Sequence, residues 1–557
     1  MTMRLMLVAS MLVACAHSPP PPATRDREVE SLEQAVRWPD ASTSTVMLLA
    51  NAWLSTHRYA EGYAYFDALA PRRPLFEALA GLFQARSADG VPLLRRVAWV
   101  DEAIGKLDRA ASRDPLSRYL RGVVFLALPQ RFGKKAQGVA DMEWALQNAA
   151  RFPPGLERGA REALAGRSGF LSDSSVSAKD GFRFVPPEVR EPARGVYVAR
   201  GYDFADLAFV ATSEGFVAID AGTTPASAAR ALAAVRAHDD LPIRKVIVTH
   251  AHWDHIGGLS AFAGPGVEVI ARSTFGGELA RVNASPAPFH FFFGDAVEKG
   301  YSLAPQRTIE KPETLVVGDT RFELIPTAGG ETDDALLVRL PERQITFVGD
   351  AFMPYFGAPF VAEGSVDGLL ATVAQLRALG PTRLIHGHAP LTDNFTFAVL
   401  QPLAAALTVV RDATLRSIHD GRALADALGA NLLPEVLRDA PDAVVPFLLM
   451  RDNAVQRIYA QHSGYWQADG AGMAVFSERD WAAALDLFGA DAVVRVARSL
   501  NDRGDYAMAL RLAAPGQRSS PALAAERLRA LEGLRARYQF NPFRLIVYSD
   551  LANEELH

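Results

Sequence analysis

A short stretch near the middle of the 557-residue chain carries three imidazoles and one carboxylate within six residues. These side chains belong to His250, His252, Asp254 and His255. The β-branched run at 243–248 predicts a buried strand, so we place the cluster on the loop that leaves it. Sites in α/β sheets collect at the carboxyl ends of strands. Imidazole nitrogen together with carboxylate oxygen is a typical ligand set for zinc and similar metals, and we predict a metal site here.

The spacing within this cluster predicts two ions. His250 and His252 lie two residues apart on an extended segment, so both side chains can face the same ion. Asp254 and His255 follow a bend and can face a second ion. A lone histidine is usually a core or surface residue, whereas four such residues directly after a strand are rarely only structural.

This His-x-His-x-Asp-His motif, followed by two glycines, resembles that of the metallo-β-lactamase superfamily. The resemblance implies an αββα sandwich with helices on both faces of two central sheets. It also implies three further metal ligands downstream and a strand-end aspartate that supports the metal loop. The matching residues are Glu331 after two glycines, Asp350 after the run 345–349, His388 in a Gly-His-x-Pro turn, and Asp220.

Glu331 restricts the resemblance to a smaller part of the superfamily, because most members have a histidine at this position. A glutamate 19 residues before the acidic ligand Asp350 is similar to the alkylsulfatase branch. Asp333 and Asp334 are rival donors that the sequence alone leaves open. Four further stretches also resemble alkylsulfatases, one as an opening strand and three as a helical dimerisation domain. They are 195–203, 453–465, 501–506 and 541–544.

The sequence departs from this branch in two places. Alkylsulfatases typically have a bridging glutamate followed by a polar stretch that shapes the sulfate pocket, whereas Asp350 is followed by the largely apolar run 351–357. The sequence stops at His557, so we expect no sterol-carrier-like third domain after the dimerisation domain. Other ester classes therefore stay open as substrates.

The resemblance implies a binuclear centre. Site one comprises His250, His252 and Glu331; site two comprises Asp254, His255 and His388, with Asp350 as the bridge. Two such ions lower the pKa of a shared water from about 16 to about 7. Zinc is the expected metal, and a glutamate donor shifts the preference somewhat toward Mn²⁺ or Fe²⁺.

Two side chains near these ligands are candidates for catalysis. In this superfamily the aspartate at the position of Asp254 also orients water or passes a proton. His386 lies two residues before His388. It could be the last ligand instead, or it could donate to a substrate oxygen or support the ligands.

We therefore predict a metal-dependent hydrolase of small-molecule esters, with alkyl sulfates as the class that the resemblance implies. One alternative is a hydrolase of another ester, such as a lactone or phosphoester. The other alternative is not an enzyme: a helical-repeat binding lipoprotein with an inactive hydrolase core.

Composition and the N-terminal sequence restrict the function and the cellular location of the protein. The net charge of −5 argues against nucleic-acid binding, and Cys15 is the only cysteine, so a disulfide scaffold is excluded. Arg4 and a short apolar run precede a lipobox-like Leu-Val-Ala-Cys, which predicts an exported bacterial lipoprotein. Its lipid on Cys15 would hold it to a membrane, facing the periplasm or the exterior. A plain secretory signal is the alternative, and no other segment is expected to cross a bilayer.

We expect five segments along the chain. They are a signal peptide (1–15), a proline-rich tether (16–26), a helical domain (27–165), the metallo-β-lactamase domain (180–400) and a helical dimerisation domain (401–557). The first helical domain resembles a tetratricopeptide-type array, or it caps the enzyme. The last one predicts a homodimer, although its helices could equally cap the active site.

An insertion at 272–303 contains a cluster of phenylalanines close to the metal loop. Asn283, Phe291, Phe292 and Phe293 are candidates for an apolar substrate wall. A core cluster or a dimer contact is the alternative reading of the same residues.

Overall fold

The computed structural model describes residues 26–152, 156–166, 176–178, 181–262, 264–284, 300–327, 329–353, 364–464, 477–514, 520–538 and 541–556. Cys15, the signal peptide and the phenylalanines Phe291, Phe292 and Phe293 lie outside these residues. The predictions made for them stay predictions.

The N-terminal part is helical, as the sequence predicts. Its helices are α1 (Arg27–Val36), α2 (Thr43–Ser55), α3 (Tyr59–Leu69), α4 (Pro74–Arg86), α5 (Arg96–Ala111), α6 (Pro115–Ala127), α7 (Lys135–Gln147) and α8 (Leu156–Leu164). Asp26, Ser42 and Asp114 accept backbone N–H bonds at the starts of α1, α2 and α6. Trp53 and its aromatic neighbours form a separate apolar core between these helices.

Two sheets follow, together with a small hairpin. The strands are β1 (Val176–Ala178), β2 (Gly181–Arg183), β3 (Glu188–Ala193), β4 (Val196–Arg200), β5 (Leu207–Thr212), β6 (Gly215–Ile219), β7 (Ile243–Ile247), β8 (Glu268–Arg272), β9 (Arg307–Ile309), β10 (Glu313–Val317), β11 (Thr320–Pro326), β12 (Leu336–Leu340), β13 (Ile345–Gly349) and β14 (Arg383–His386). The first sheet has the order β3 to β9, the second has the order β10 to β14, and β1 pairs with β2 alone.

Strands begin earlier than the sequence predicted. β3 precedes the stretch 195–203, which was expected to open the sheets, and β1 lies before residue 180, where that domain was expected to begin. β3 is an edge strand that carries charged residues and Pro192, which are typical of edges because an edge needs no ladder bonds on one side. Because β3 is polar, the apolar pattern that predicts the other strands does not predict this one.

The two sheets face each other across a shared apolar core, which confirms the αββα sandwich. Val198, Ile219 and Ile247 from the first sheet meet Phe322 and Phe347 from the second. Helices cover the outer faces of both sheets. They are α9 (Pro225–Arg236) on the first, with α10 (Trp253–Ile256) and α11 (Phe275–Ala284) at its edge, and α12 (Val366–Ala378) and α13 (Ala389–Asn394) on the second.

The remaining described part is helical up to Leu556. Its helices are α14 (Leu400–His419), α15 (Leu424–Gly429), α16 (Val444–Ser463), α17 (Glu478–Phe488), α18 (Ala490–Asp502), α19 (Tyr506–Ala513), α20 (Pro521–Arg537) and α21 (Pro542–Leu556). The segment Phe397–His419 is long and apolar enough to cross a membrane, which the sequence analysis did not expect. Leu403, Leu407 and Val410 in it are buried in the apolar core that it shares with α12 and α16.

Candidate metal centre

The loop after β7 carries the first four candidate ligands to the end of the first sheet. His250 and His252 lie on the loop itself, and Asp254 and His255 belong to the one-turn helix α10. Gly258 follows these ligands at a position where the chain lies directly against another backbone segment. A Cβ there would collide with the carbonyl oxygen of Ala221, so only glycine fits. The backbone N–H of Gly258 also donates to the Gly222 carbonyl.

Three of the predicted ligands converge as a first group. His250 Nε2 lies 3.5 Å from Glu331 Oε2, and His252 Nδ1 lies 3.3 Å from the same oxygen. All three side chains are buried. Of the acidic residues in this segment, Glu331 joins the group, whereas Asp333 is exposed to solvent. Asp334 is buried nearby, and burial raises its pKa to about 6, but it is not part of either convergent group.

The other four predicted ligands form a second buried group. His255 Nε2 lies 3.4 Å from Asp254 Oδ2 and 3.3 Å from Asp350 Oδ2. His388 Nε2 lies 2.8 Å from Asp350 Oδ2 and 3.4 Å from Asp254 Oδ2. The structure therefore places Asp350 in this second group, and its expected role as a bridge to the first group stays a prediction.

The donor atoms of both groups fit divalent ions. His250 Nε2, His255 Nε2, Glu331 Oε2 and Asp350 Oδ1 are buried without a hydrogen-bond partner among the described residues. Leaving buried polar atoms unpaired costs free energy, and such atoms call for an explanation in a folded protein. Imidazole and carboxylate donors at these positions suit zinc and similar cations.

Electrostatic interactions within the second group oppose the effect of burial. Burial alone would raise the pKa of Asp254, but the charge and hydrogen bond of His255 hold it well below its usual range. Burial alone would lower the pKa of His388, but the carboxylates, chiefly Asp350, raise it to about 10. A cation that binds here would displace the imidazole protons, because a metal ligand must be deprotonated.

Two contacts behind the ligands fix their orientation. Asp220, as expected from its strand-end position, accepts hydrogen bonds from Thr249 N (2.7 Å), Thr249 Oγ1 (2.8 Å) and His255 Nδ1 (2.8 Å). His388 Nδ1 lies 2.9 Å from the carbonyl oxygen of Phe204. Each contact leaves the other ring nitrogen facing the second group.

We expect Asp220→Asn to lower the affinity for metal at the second group by about 10- to 100-fold. The amide keeps the size of the side chain but puts an NH₂ group where an anionic acceptor now holds His255. Titration of the metal-free protein with Zn²⁺ against a competing chelator would measure the change. Unchanged affinity for both ions would contradict this supporting role for Asp220.

The structure does not bring His386 into either group. Its Nε2 lies 2.9 Å from the carbonyl oxygen of Phe395, its ring contacts Phe352, and burial lowers its pKa to about 4. His386 is the last residue of β14, whereas His388 lies beyond the strand, after Gly387. The catalytic role predicted for His386 therefore gains no geometric support.

Asn283 also differs from its expected place in a substrate wall. Its Oδ1 accepts from Trp253 Nε1 (3.1 Å) and from Tyr301 N (3.1 Å), and its Nδ2 donates to the Tyr301 carbonyl (2.8 Å). It lies near the end of α11, a helix within the segment that the sequence indicated as an insertion. Asn283 therefore ties the metal loop to the segment at Tyr301.

Sequence reasoning missed several supporting groups. Asp203 accepts from Thr223 N (2.9 Å) and from Ser227 Oγ, which fixes the loop that presents the Phe204 carbonyl to His388. The carboxylate at the end of the stretch 195–203 was the available signal. No side-chain pattern could have revealed the carbonyl, because it belongs to the backbone.

Comparison with known proteins agrees with this geometry. A match to the metallo-beta-lactamase superfamily extends over residues 203–388. An alkyl/aryl-sulfatase of Saccharomyces cerevisiae is 22% identical over 464 residues, which cover 68% of this chain and 69% of that protein. A linear primary-alkylsulfatase of Pseudomonas sp. is 21% identical over 344 residues, which cover 54% of this chain and 64% of the relative.

A solved structure shows the same fold. The stereoselective inverting sec-alkylsulfatase of Pseudomonas sp. superimposes with a TM-score of 0.56 at 21% identity, covering 67% of this chain and 66% of that one. The sandwich and its buried donor groups define a metal-dependent hydrolase with the metallo-β-lactamase fold. Within that superfamily the chain is alkylsulfatase-like.

Proposed function

We propose that the chain is a binuclear hydrolase that cleaves alkyl sulfate esters. The observation that carries this proposal is the pair of adjacent buried donor groups, seven residues in all, each able to hold one cation. The named activities of the similar alkylsulfatases support sulfate esters as the substrate class. Zn²⁺ is the proposed metal, with Mn²⁺ or Fe²⁺ as the alternatives that the carboxylate donors accommodate.

The residues divide the work as follows. His250, His252 and Glu331 would hold one ion, and Asp254, His255 and His388 would hold the other, with Asp350 between them. Bound divalent ions supply Lewis-acid polarisation of the ester and a nucleophile at neutral pH. Asp254 is held ionised by its neighbours, so its carboxylate can orient water. Burial of all seven ligands keeps bulk water away from them.

A panel of esters tests the substrate class. We expect the metal-loaded chain to turn over dodecyl sulfate faster than phosphodiesters or lactones. If an apolar wall meets the alkyl chain, kcat/KM should rise by up to roughly fourfold per carbon, since a fully buried methylene is worth ~0.8 kcal/mol. Faster turnover of a lactone or phosphoester would overturn the sulfatase proposal. The chain would still be a metal-dependent hydrolase. A flat profile from four to twelve carbons would reject the apolar wall.

We also propose that the protein is an exported lipoprotein, on the basis of the lipobox-like sequence that ends at Cys15. Replacing Cys15 by serine should move the protein from the membrane fraction to the soluble fraction, or block its processing. Membrane attachment by two or more acyl chains is stable, so the shift should be nearly complete. Equal soluble fractions for wild type and variant would reject the lipid anchor.

A homodimer is the proposed assembly. The C-terminal helices α17, α18 and α19 leave apolar side chains exposed on the single chain. They are Leu487, Phe488, Val496 and Met508. Contiguous exposed apolar area marks a contact surface, and the adjacent Leu487 and Phe488 at the end of α17 support pairing with a second copy there. Light scattering of the purified chain would show the dimer mass if the proposal holds and the monomer mass if it fails.

A further inference from the structure

The segment that carries Glu331 is held from outside the sandwich by helix α16. Arg457 donates to the Gly364 carbonyl from both Nε (3.0 Å) and Nη2 (2.7 Å), and Gln461 Nε2 donates to the same oxygen (3.0 Å). Arg457 and Gln461 are four residues apart, so they project from one face of the helix. Arg457 is only 4% exposed, so these bonds are made away from bulk water.

Gly364 in turn lies directly against the backbone of the metal-ligand segment. A Cβ at Gly364 would collide with the carbonyl oxygens of Gly330 and Glu331, so the two chain segments touch. Its φ of +75° is a conformation that favours glycine. The next residue, Ser365, donates its N–H to the Gly330 carbonyl at 3.2 Å. The contacts therefore run from α16 through Gly364 and Ser365 to the residue that precedes Glu331.

We propose that Arg457 is a positioning residue for the Glu331 donor. By fixing the Gly364 carbonyl it fixes the backbone at Gly330, and this sets where the Glu331 carboxylate meets His250 and His252. Arginine suits this task because its planar group donates two bonds to one acceptor in a fixed orientation. The C-terminal helices thereby contribute to metal affinity at the first group, a role separate from dimer contact. This inference rests on the proposed function only for the presence of an ion at Glu331.

The chain offers a matched control on the same helix. Arg451 is also buried, at 3% exposed, but its Nη1 donates to Ser31 Oγ (2.7 Å) and its Nε to Asp452 (2.8 Å). The bond to Ser31 joins α16 to α1, the bond to Asp452 lies within α16, and neither reaches the metal-ligand segment. A change at Arg451 therefore disturbs the packing of α16 without loosening Gly364.

Titration of the full-length, metal-free variants with Zn²⁺ against a competing chelator tests the proposal. Arg457→Lys keeps the charge but loses the paired donors, so the affinity for one of the two ions should fall by about 10- to 100-fold. Arg451→Lys should bind both ions like the wild type. Wild-type affinity for both ions in Arg457→Lys, or an equal loss in Arg451→Lys, would overturn the positioning role.

If Arg457→Lys does not fold, Gln461→Ala removes one donor from the same carbonyl and should weaken the same ion several-fold. No change in Gln461→Ala would then overturn the proposal. The wild-type titration separates this inference from the function on which it rests. If the wild type binds no Zn²⁺, the proposed metal centre itself is rejected. If the wild type binds two ions and the variants bind them equally well, only the role of Arg457 is rejected.

Discussion

Replacing Glu331 by alanine should leave a chain that binds one divalent ion instead of two. Its turnover should fall by more than the factor of about 100 that loss of a supporting residue can cost, because a direct donor is removed. His250 and His252 remain in this variant, but two imidazoles alone make a poorer site than two imidazoles and a carboxylate. Elemental analysis of the purified variant, together with its kcat, measures both effects.

The matched controls for this variant are the neighbouring acids. Asp333→Ala removes an exposed carboxylate and Asp334→Ala a buried one, and neither belongs to a convergent group. Both variants should keep two ions. If Glu331→Ala keeps two ions and full turnover while an aspartate variant loses one, then the donor has been misassigned. The metal centre would then lack the residue on which its similarity to alkylsulfatases rests.

Glu331→His provides a more selective test of the same residue. It restores the donor that most of the superfamily uses, so the variant should again bind two ions. One negative charge is lost from the first group, which makes the metal centre more electropositive and should shift the acidic limb of the pH–rate profile to lower pH. An unshifted profile would mean that Glu331 does not face the reacting centre.

The convergent ligands could be predicted from sequence because their spacing is local or because a family motif marks them. His250, His252, Asp254 and His255 follow one strand, so their closeness needs no knowledge of the fold. Glu331, Asp350 and His388 are distant in sequence, and only the resemblance connected them. Asp350 and His388 follow β13 and β14, which are parallel neighbours, and Glu331 lies between β11 and β12 of the same sheet.

The supporting contacts could not be predicted in the same way. The Phe204 carbonyl that meets His388 is a backbone group, and such a group has no side-chain signature. Arg457 reaches Gly364 across 93 residues of sequence, and one arginine in a long helix gives no sign of its partner. His386 illustrates the converse: its sequence position suggested chemistry, whereas its Nε2 lies against the Phe395 carbonyl.

Fold elements were missed where composition departs from a simple pattern. β3 is polar because it lies at the edge of its sheet, and α11 was hidden inside a segment interpreted as an insertion. The segment Phe397–His419 has the composition of a membrane span, since residues 397–410 carry no charge. Its packing against α12 and α16, which only the tertiary structure reveals, buries part of that apolar surface.

The central claim is that hydrolysis depends on ions held by the two buried donor groups. The direct measurement is turnover of dodecyl sulfate by the purified chain before chelation, after chelation and after Zn²⁺ is restored, with the metal content counted at each stage. We predict two ions per chain at the start and loss of turnover once they are removed. Turnover should return when two ions rebind. Full turnover by the chelated, metal-free chain would contradict the account.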